Sequence, residues 1–429
     1  MNRRQALEAI RQAIGRKKLL WFGVRSTDAV SLTTYGLESV SFLSLISPLS
    51  LAGLDEYCLE HHTKRRVDLD DYLLDLDPSP EGRGLLDRIS ACGGQEFLLV
   101  PYGASKPVES EVQQAGGDFL GIGAALARQL NNKFEVQQAL AGRGLSVLPS
   151  LRFRDQEDEA FHSFIKAYVS FVVRGDYSGG GRNLWRVTSP EAFSELLTQK
   201  PDLFTTCSFS PYMGEALSLN MEACLARGGS CFVGPTRLQL IGCPQATCRP
   251  FGYCGNDFSI SSFLGKADLL LCHTMMEQIG AWLSAQGYVG AFGVDALYQD
   301  GELFFVELNP RLQGSTALSV QMAQDDNRID ILMAHLLAWL GIPFSARPEV
   351  YLEEALAQKQ RAQIYLHNLS DVATVSSGVL DAGAGWDMIP DAGVVLDPVA
   401  VRGRLVTNGP VTHNGKDLLP SVVSQLGSL

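Results

Sequence analysis

Residues 291–319 read AFGVDALYQDGELFFVELNPRLQGSTALS, and both fold and chemistry are read outward from this stretch. Two apolar runs, 291–298 and 302–308, flank Asp300-Gly301. Asp-Gly between such runs is a strong hairpin signal, because both residues accept the positive φ of a tight turn. Glu307 and Asn309 are two apart, so on a strand their side chains share a face. Asp295 stands twelve positions before Glu307 with the turn between them, and folding back brings the three together. Two carboxylates and an amide oxygen are hard ligands suited to Mg²⁺. Arg311, two further on, sets a guanidinium beside that site, where phosphate charge would need neutralising. The plain alternative is a solvated hairpin with one polar face. Against it, Glu307, Asn309 and Arg311 interrupt an otherwise apolar strand, where unpaired burial would be expensive.

Upstream, the first residues pattern as an amphipathic helix, followed by the apolar runs 19–24 and 97–100, which read as buried strands. Strands alternating with helices predict an N-terminal α/β domain over 1–120. Helices are expected at 124–130 and 134–140, and strands at 170–174, 216–225 and 230–233. Beyond residue 343 the helical pattern weakens and Val/Gly-rich pieces predict a small β-rich domain over 343–429. The middle, 121–342, would then carry the site.

At 429 residues the chain is too long for one ordinary core. A hydrophobic content of 46% with 19% charged residues fits a globular protein. The net charge of −12 argues against nucleic acid or an anionic membrane as partner. No stretch approaches the roughly 20 apolar residues of a membrane helix, and the charged start lacks a signal-peptide pattern, so a cytoplasmic location is expected. The nine Cys are scattered, and Cys243, Cys248 and Cys254 lack zinc spacing. There is no HExxH helix, no GxSxG elbow and no Walker A loop. His273, in an apolar run, reads as a packed helix residue.

The string VELNPRLQGST resembles the metal-binding strand of ATP-grasp enzymes. The resemblance implies an α/β ATP-grasp fold, with ATP and two Mg²⁺ ions as cofactors and Mn²⁺ as a substitute. It gives the metals to Asp295, Glu307 and Asn309, and phosphoryl stabilisation to Arg311. Gly314, Ser315 and Ser319 are similar to the loop with which D-alanine–D-alanine ligases hold substrate carboxylate and phosphate. The family's first cationic position falls on Lys133. Its second, usually Lys, falls on Arg174 in FVVRGDYSGGGRN, which keeps the charge but not the shape. Ser178, Gly179, Gly180 and Gly181 resemble the loop that closes over the phosphates, where glycine lets backbone N–H groups approach anionic oxygens, and Arg182 adds a charge. Ser210, Pro211, Tyr212 and Met213 stand at the adenine hinge. The family's acidic residue is missing there, and Glu215 is the candidate replacement for the ribose contact.

The resemblance covers about 120–340 and implies an ATP-grasp domain over 121–342 with a lid over about 150–210. It implies a ligase that joins a small-molecule carboxylate to an amine, amino acids or peptides first, through an acylphosphate. Many relatives are homodimers, so a homodimer is the expected assembly. Two alternatives stand beside it: a biotin-carboxylase-like or purine-pathway carboxylase that activates bicarbonate, and a nucleotide-binding regulator without catalysis. The LQGST continuation and the intact metal strand weigh against these two in turn.

Overall fold

The computed structural model describes residues 1–46, 53–68, 80–155, 158–177, 179–344, 348–378 and 385–427. The architecture is mixed α/β, as expected. The apolar run 19–24 becomes the strand Lys18–Arg25, the middle of a five-stranded parallel sheet between Val40–Ile46 and Phe97–Pro101. Its residues are buried on both faces, which is what a continuous apolar run codes for. The helix Arg3–Ile14 starts at a capping box between Asn2 and Gln5 and buries Ala6, Ile10 and Ile14, spaced four apart on one face.

The site sits on a large mixed-length sheet. Its order runs Glu302–Asn309, Gly290–Gln299, Leu217–Leu225, Arg237–Ile241, Tyr253–Asp257, Ala362–His367, Val401–Thr407 and Trp386–Asp387, with Cys231–Val233 paired to Leu217–Leu225. The strands after residue 343 thus continue this sheet, because Ala362–His367 pairs antiparallel with Tyr253–Asp257. Alternation along Leu217–Leu225 divides the faces. Leu219, Ala223 and Leu225 pack in the cluster that includes Leu269, Cys272 and Ile279 of the helix Lys266–Ala285. Cys224 turns the other way, towards Leu332 and Leu336 of the helix Ile331–Trp339. His273 is buried in the long helix, with its ring against Tyr351.

A separate antiparallel sheet is formed by Leu151–Arg152, Cys207–Pro211, Phe171–Gly175 and Leu184–Val187. Its own core is aromatic: Phe161, Phe164, Phe171, Phe193, Phe204 and Phe209 pack together, and Phe153 joins them. Among the described residues no helix is long and apolar enough to cross a membrane.

Candidate active site

The hairpin forms as its sequence requires. Asp300 and Gly301 take φ of 54° and 85°, so the turn needs the left-handed conformation at both residues. Asp295 faces Glu307 across the pair, with a pairing shift just beyond at Ala296. Asn309 Nδ2 donates to Asp295 Oδ2 at 3.2 Å, and Arg311 Nη2 donates to Asn309 Oδ1 at 3.2 Å. The four residues read together from the sequence therefore stand in contact.

They line a cleft of about 660 Å³ between the aromatic sheet and the large sheet. Lys133 opens its helix beneath Asn132, whose side chain accepts from Glu135 N. Its ammonium reaches Glu307 Oε2 at 2.6 Å. Arg174 ends a strand of the aromatic sheet and crosses to the large one, donating to the Val306 carbonyl at 2.9 Å and Gln137 Oε1 at 3.2 Å. Its Nε is buried and has no hydrogen-bond partner among the described residues.

The electrostatics are those of a site built for something more. Burial, then the neighbouring Glu307 charge, raises the Asp295 carboxyl above its usual range. Burial pulls the Lys133 ammonium below its usual range despite Glu307. Burial also lowers the Arg174 guanidinium. Two adjoining carboxylates and two desolvated cations, one with an orphaned N–H, form a donor set that fits a hard divalent ion and phosphate oxygens.

Of the loop 178–181, Ser178 lies outside the described residues. Gly179, Gly180 and Gly181 line the cleft. Gly181 has φ of 78°, and a Cβ there would stand 1.9 Å from the Phe251 carbonyl oxygen, so only glycine permits this approach. Arg182 is turned to Asp68 at 2.7 Å, where Arg249 also pairs, so its charge is already offset. Ser210, Pro211, Tyr212 and Met213 line the same cleft at the end of the strand Cys207–Pro211. Tyr212 is held by its N–H on the Ser170 carbonyl and by Arg186 over its ring at 3.9 Å.

Two candidates are not brought in. Glu215 is exposed, with Lys416 Nζ at 3.9 Å. Ser319 lies one helical turn into Thr316–Asp325 and donates to Glu222. Gly314 and Ser315 do line the cleft, and Ser315 Oγ donates to Asn220 Oδ1 at 3.1 Å.

Other lining residues escaped the sequence reading. Asn220 donates to Asp295 Oδ1 at 2.7 Å and accepts from Arg237 Nε at 2.8 Å, and Arg237 pairs with Glu222 at 3.0 Å. Their signal was present: Asn220 and Glu222 are polar residues at alternate positions of an apolar strand, as Glu307 and Asn309 are. Gln313 accepts from Asn220 at 3.3 Å and donates to the Arg311 carbonyl at 3.0 Å. Gly293 makes room for it, since a Cβ there would lie 2.1 Å from Gln313 Cδ. Arg25, Tyr102, Tyr365, His367 and Lys416 also line the cleft, from segments far apart in the chain. Tyr102 OH accepts from Arg311 Nη1 at 3.1 Å, and Lys416 Nζ donates to the Gly214 carbonyl at 2.7 Å.

Comparison with known proteins accords with this geometry. An ATP-grasp domain model matches residues 230–315, which include Asp295, Glu307, Asn309 and Arg311. The structure is similar to the biotin carboxylase domain of Hydrogenobacter thermophilus 2-oxoglutarate carboxylase, solved as a dimer with MgADP, ADP and bicarbonate. The two share 12% identity over 92% of this chain and 86% of that one, with a TM-score of 0.63. It is also similar to biotin carboxylase from Campylobacter jejuni, at 16% identity over 94% of this chain and 84% of that one, TM-score 0.57. A third is N5-carboxyaminoimidazole ribonucleotide synthetase from Thermus thermophilus, at 15% identity over 91% and 93%, TM-score 0.58. A search of curated protein sequences finds no significant match. Identities this low speak for the fold alone. With the domain match and the hairpin that carries the acidic pair, they show an ATP-grasp fold whose matched segment, residues 230–315, holds the acidic pair.

Proposed function

We propose that this ATP-grasp enzyme is a carboxylate–amine ligase that makes an amide through an acylphosphate, releasing ADP and phosphate. One observation carries the proposal: Asp295, Glu307, Asn309 and Arg311 meet Lys133 and Arg174 in a single cleft. Asp295, Glu307 and Asn309 are the residues to hold Mg²⁺, two ions in this reading, with Mn²⁺ as a substitute. Bound there, the metal would supply positive charge that draws the phosphate oxygens together and polarises the γ-phosphoryl group.

The chain's own groups do the rest. Lys133, Arg174 and Arg311 offset charge as it spreads over the transferring phosphoryl oxygens. The substrate carboxylate attacks the γ-phosphorus, and ADP leaves. The amine then attacks the acyl carbon, and phosphate leaves. The glycines 179–181, with Gly181 seated against Phe251, would cover the cleft and keep water from the acylphosphate. Pro211, Tyr212 and Met213 frame the adenine, and Arg311 with Gly314 and Ser315 grips a substrate carboxylate. Ser319 and Glu215 would act only through their neighbours. Amino acids or peptides are the substrates we favour, in a cytoplasmic and homodimeric enzyme.

Activation of bicarbonate is the second reading, because the Hydrogenobacter domain was solved with that anion. One experiment separates the two. ADP and phosphate release is followed with Mg²⁺-ATP across amino acids and dipeptides, singly and in pairs, with bicarbonate alone as a further sample and Glu307→Gln as blank. Release that needs a carboxylate and an amine and vanishes in the blank supports the ligase. Release with bicarbonate alone supports the carboxylase. Silence with ATP still bound would contradict both and favour a regulator.

A further inference from the structure

Across the cleft from the acidic hairpin runs the strand Ala362–His367. Its Gln363 and Tyr365 side chains both donate to the Gly314 carbonyl, at 2.9 and 3.0 Å. His367 follows, after a pairing shift between Leu366 and His367, and lines the same cleft. Its Nδ1 stands 3.0 Å from the Ala246 carbonyl. A carbonyl can only accept, so Nδ1 carries the hydrogen and Nε2 presents a lone pair.

The other ionisable groups on this side are already engaged. Arg25 is paired with Asp28 at 3.0 Å, Asp68 is shared by Arg182 and Arg249, and Lys416 Nζ donates to the Gly214 carbonyl at 2.7 Å. Tyr102 and Tyr253 are held protonated, chiefly by burial. The imidazole nitrogen is therefore the basic lone pair that this half of the cleft offers.

We propose that His367 is the base that takes a proton from the amine substrate in the second half-reaction. The inference rests on the ligase reading. An amino-acid amine arrives as an ammonium and cannot attack until it loses a proton. That proton passes to His367 Nε2, and the freed nitrogen lone pair forms the C–N bond at the acyl carbon. The bond between the acyl carbon and the bridging oxygen breaks, and phosphate leaves with that oxygen and the electron pair. The second nitrogen proton goes to the leaving phosphate. Burial is the largest influence on the imidazole and lowers its pKa, and Arg249 adds to this. The Ala246 carbonyl and Asp68 pull it partly back. The ring is accordingly neutral near pH 7 and ready to accept.

The bland role for His367 is to pin the loop at Ala246, and the test must separate the two. His367→Asn keeps an N–H for the Ala246 carbonyl and removes the base, with His367→Gln as a second variant should the first not fold. Wild type and variant are given Mg²⁺-ATP and the amino-acid pool, with or without hydroxylamine, which is uncharged at neutral pH and needs no base. We expect hydroxamate formation to stay within about twofold of wild type. Dipeptide formation at pH 7 should fall by about a hundredfold or more, and recover as the pH rises or imidazole is added. Dipeptide formation within about twofold of wild type, or an equal fall in both products, overturns the proposal. Wild type that forms neither product sinks the ligase reading itself, and the role of His367 with it.

Discussion

Replacing Lys133 by Met should separate catalysis from stability. The ammonium lies 2.6 Å from Glu307, and its side chain is 5% exposed against 21% for Glu307. Stripping one member from a fully buried ion pair typically costs about 3–5 kcal/mol, because a charge is left stranded. Two features of this pair reduce that cost. Burial outweighs Glu307 in setting the Lys133 pKa, which is lowered, so the charged ammonium is a net cost to the folded state at neutral pH. Glu307 opens on the cleft and can rehydrate when its partner goes. We therefore expect the unliganded protein to lose about 1 kcal/mol or less. Unfolding entropy of about 2.1 cal/mol/K per residue over this length amounts to about 0.9 kcal/mol per degree, so the melting temperature should move by about 1 °C. In the proposed reaction the same ammonium offsets phosphoryl charge, and its loss should cost about 10²–10³ in kcat. The assay pairs a thermal melt without nucleotide with ADP release under saturating Mg²⁺-ATP. A melting temperature lower by about 4 °C or more, or turnover close to wild type, would refute the reasoning.

Arg311→Ala should lower turnover by about 10²–10³ with the melting temperature little changed, and unchanged turnover would remove Arg311 from the chemistry. Gly181→Ala should slow turnover and raise uncoupled ATP hydrolysis, since its Cβ would collide with the Phe251 carbonyl and hold the loop open; comparison of ADP with amide product reads this out. Ser319→Ala should leave the KM for both substrates unchanged and cost about 1 kcal/mol in stability, because its hydroxyl serves Glu222. His335, fully buried between Ala291 N–H and the Leu120 carbonyl, has its pKa lowered from 6.5 to about 4 by burial. Its depressed pKa gives stability that is present above the unfolded value and is lost as pH falls from about 6.5 through about 4. The loss is about 3 kcal/mol in all. Melts at pH 7 and 4.5 should therefore show a smaller acid shift in His335→Gln than in wild type.

Legibility in the sequence followed the locality of the signal. Asp295, Glu307, Asn309 and Arg311 were readable because one hairpin with an Asp-Gly turn sets their register. Lys18–Arg25 was readable because both its faces are buried. Arg237–Ile241 and Tyr253–Asp257 were not. The Pro, Cys and Gly residues around them give no strand period, and Gly255, at φ 135°, must be glycine because a Cβ there would stand 2.0 Å from the Gln363 carbonyl oxygen. Tertiary pairing overrode local propensity there. The far wall of the cleft was invisible for a different reason. Tyr365, His367 and Lys416 reach the site only because the large sheet continues past residue 343, and no local motif encodes that. The resemblance to a ligase loop puts Ser319 with the substrate, whereas a helix that starts at Thr316 turns it towards Glu222.

The proposed reaction passes through an acylphosphate formed in the cleft of Asp295, Glu307 and Arg311. Its most direct test uses a substrate carboxylate labelled with heavy oxygen, incubated with Mg²⁺-ATP and the amine, with mass analysis of the products. One labelled oxygen in the released inorganic phosphate, alongside ADP, is the result this account predicts. Unlabelled phosphate, or label in AMP, would contradict it.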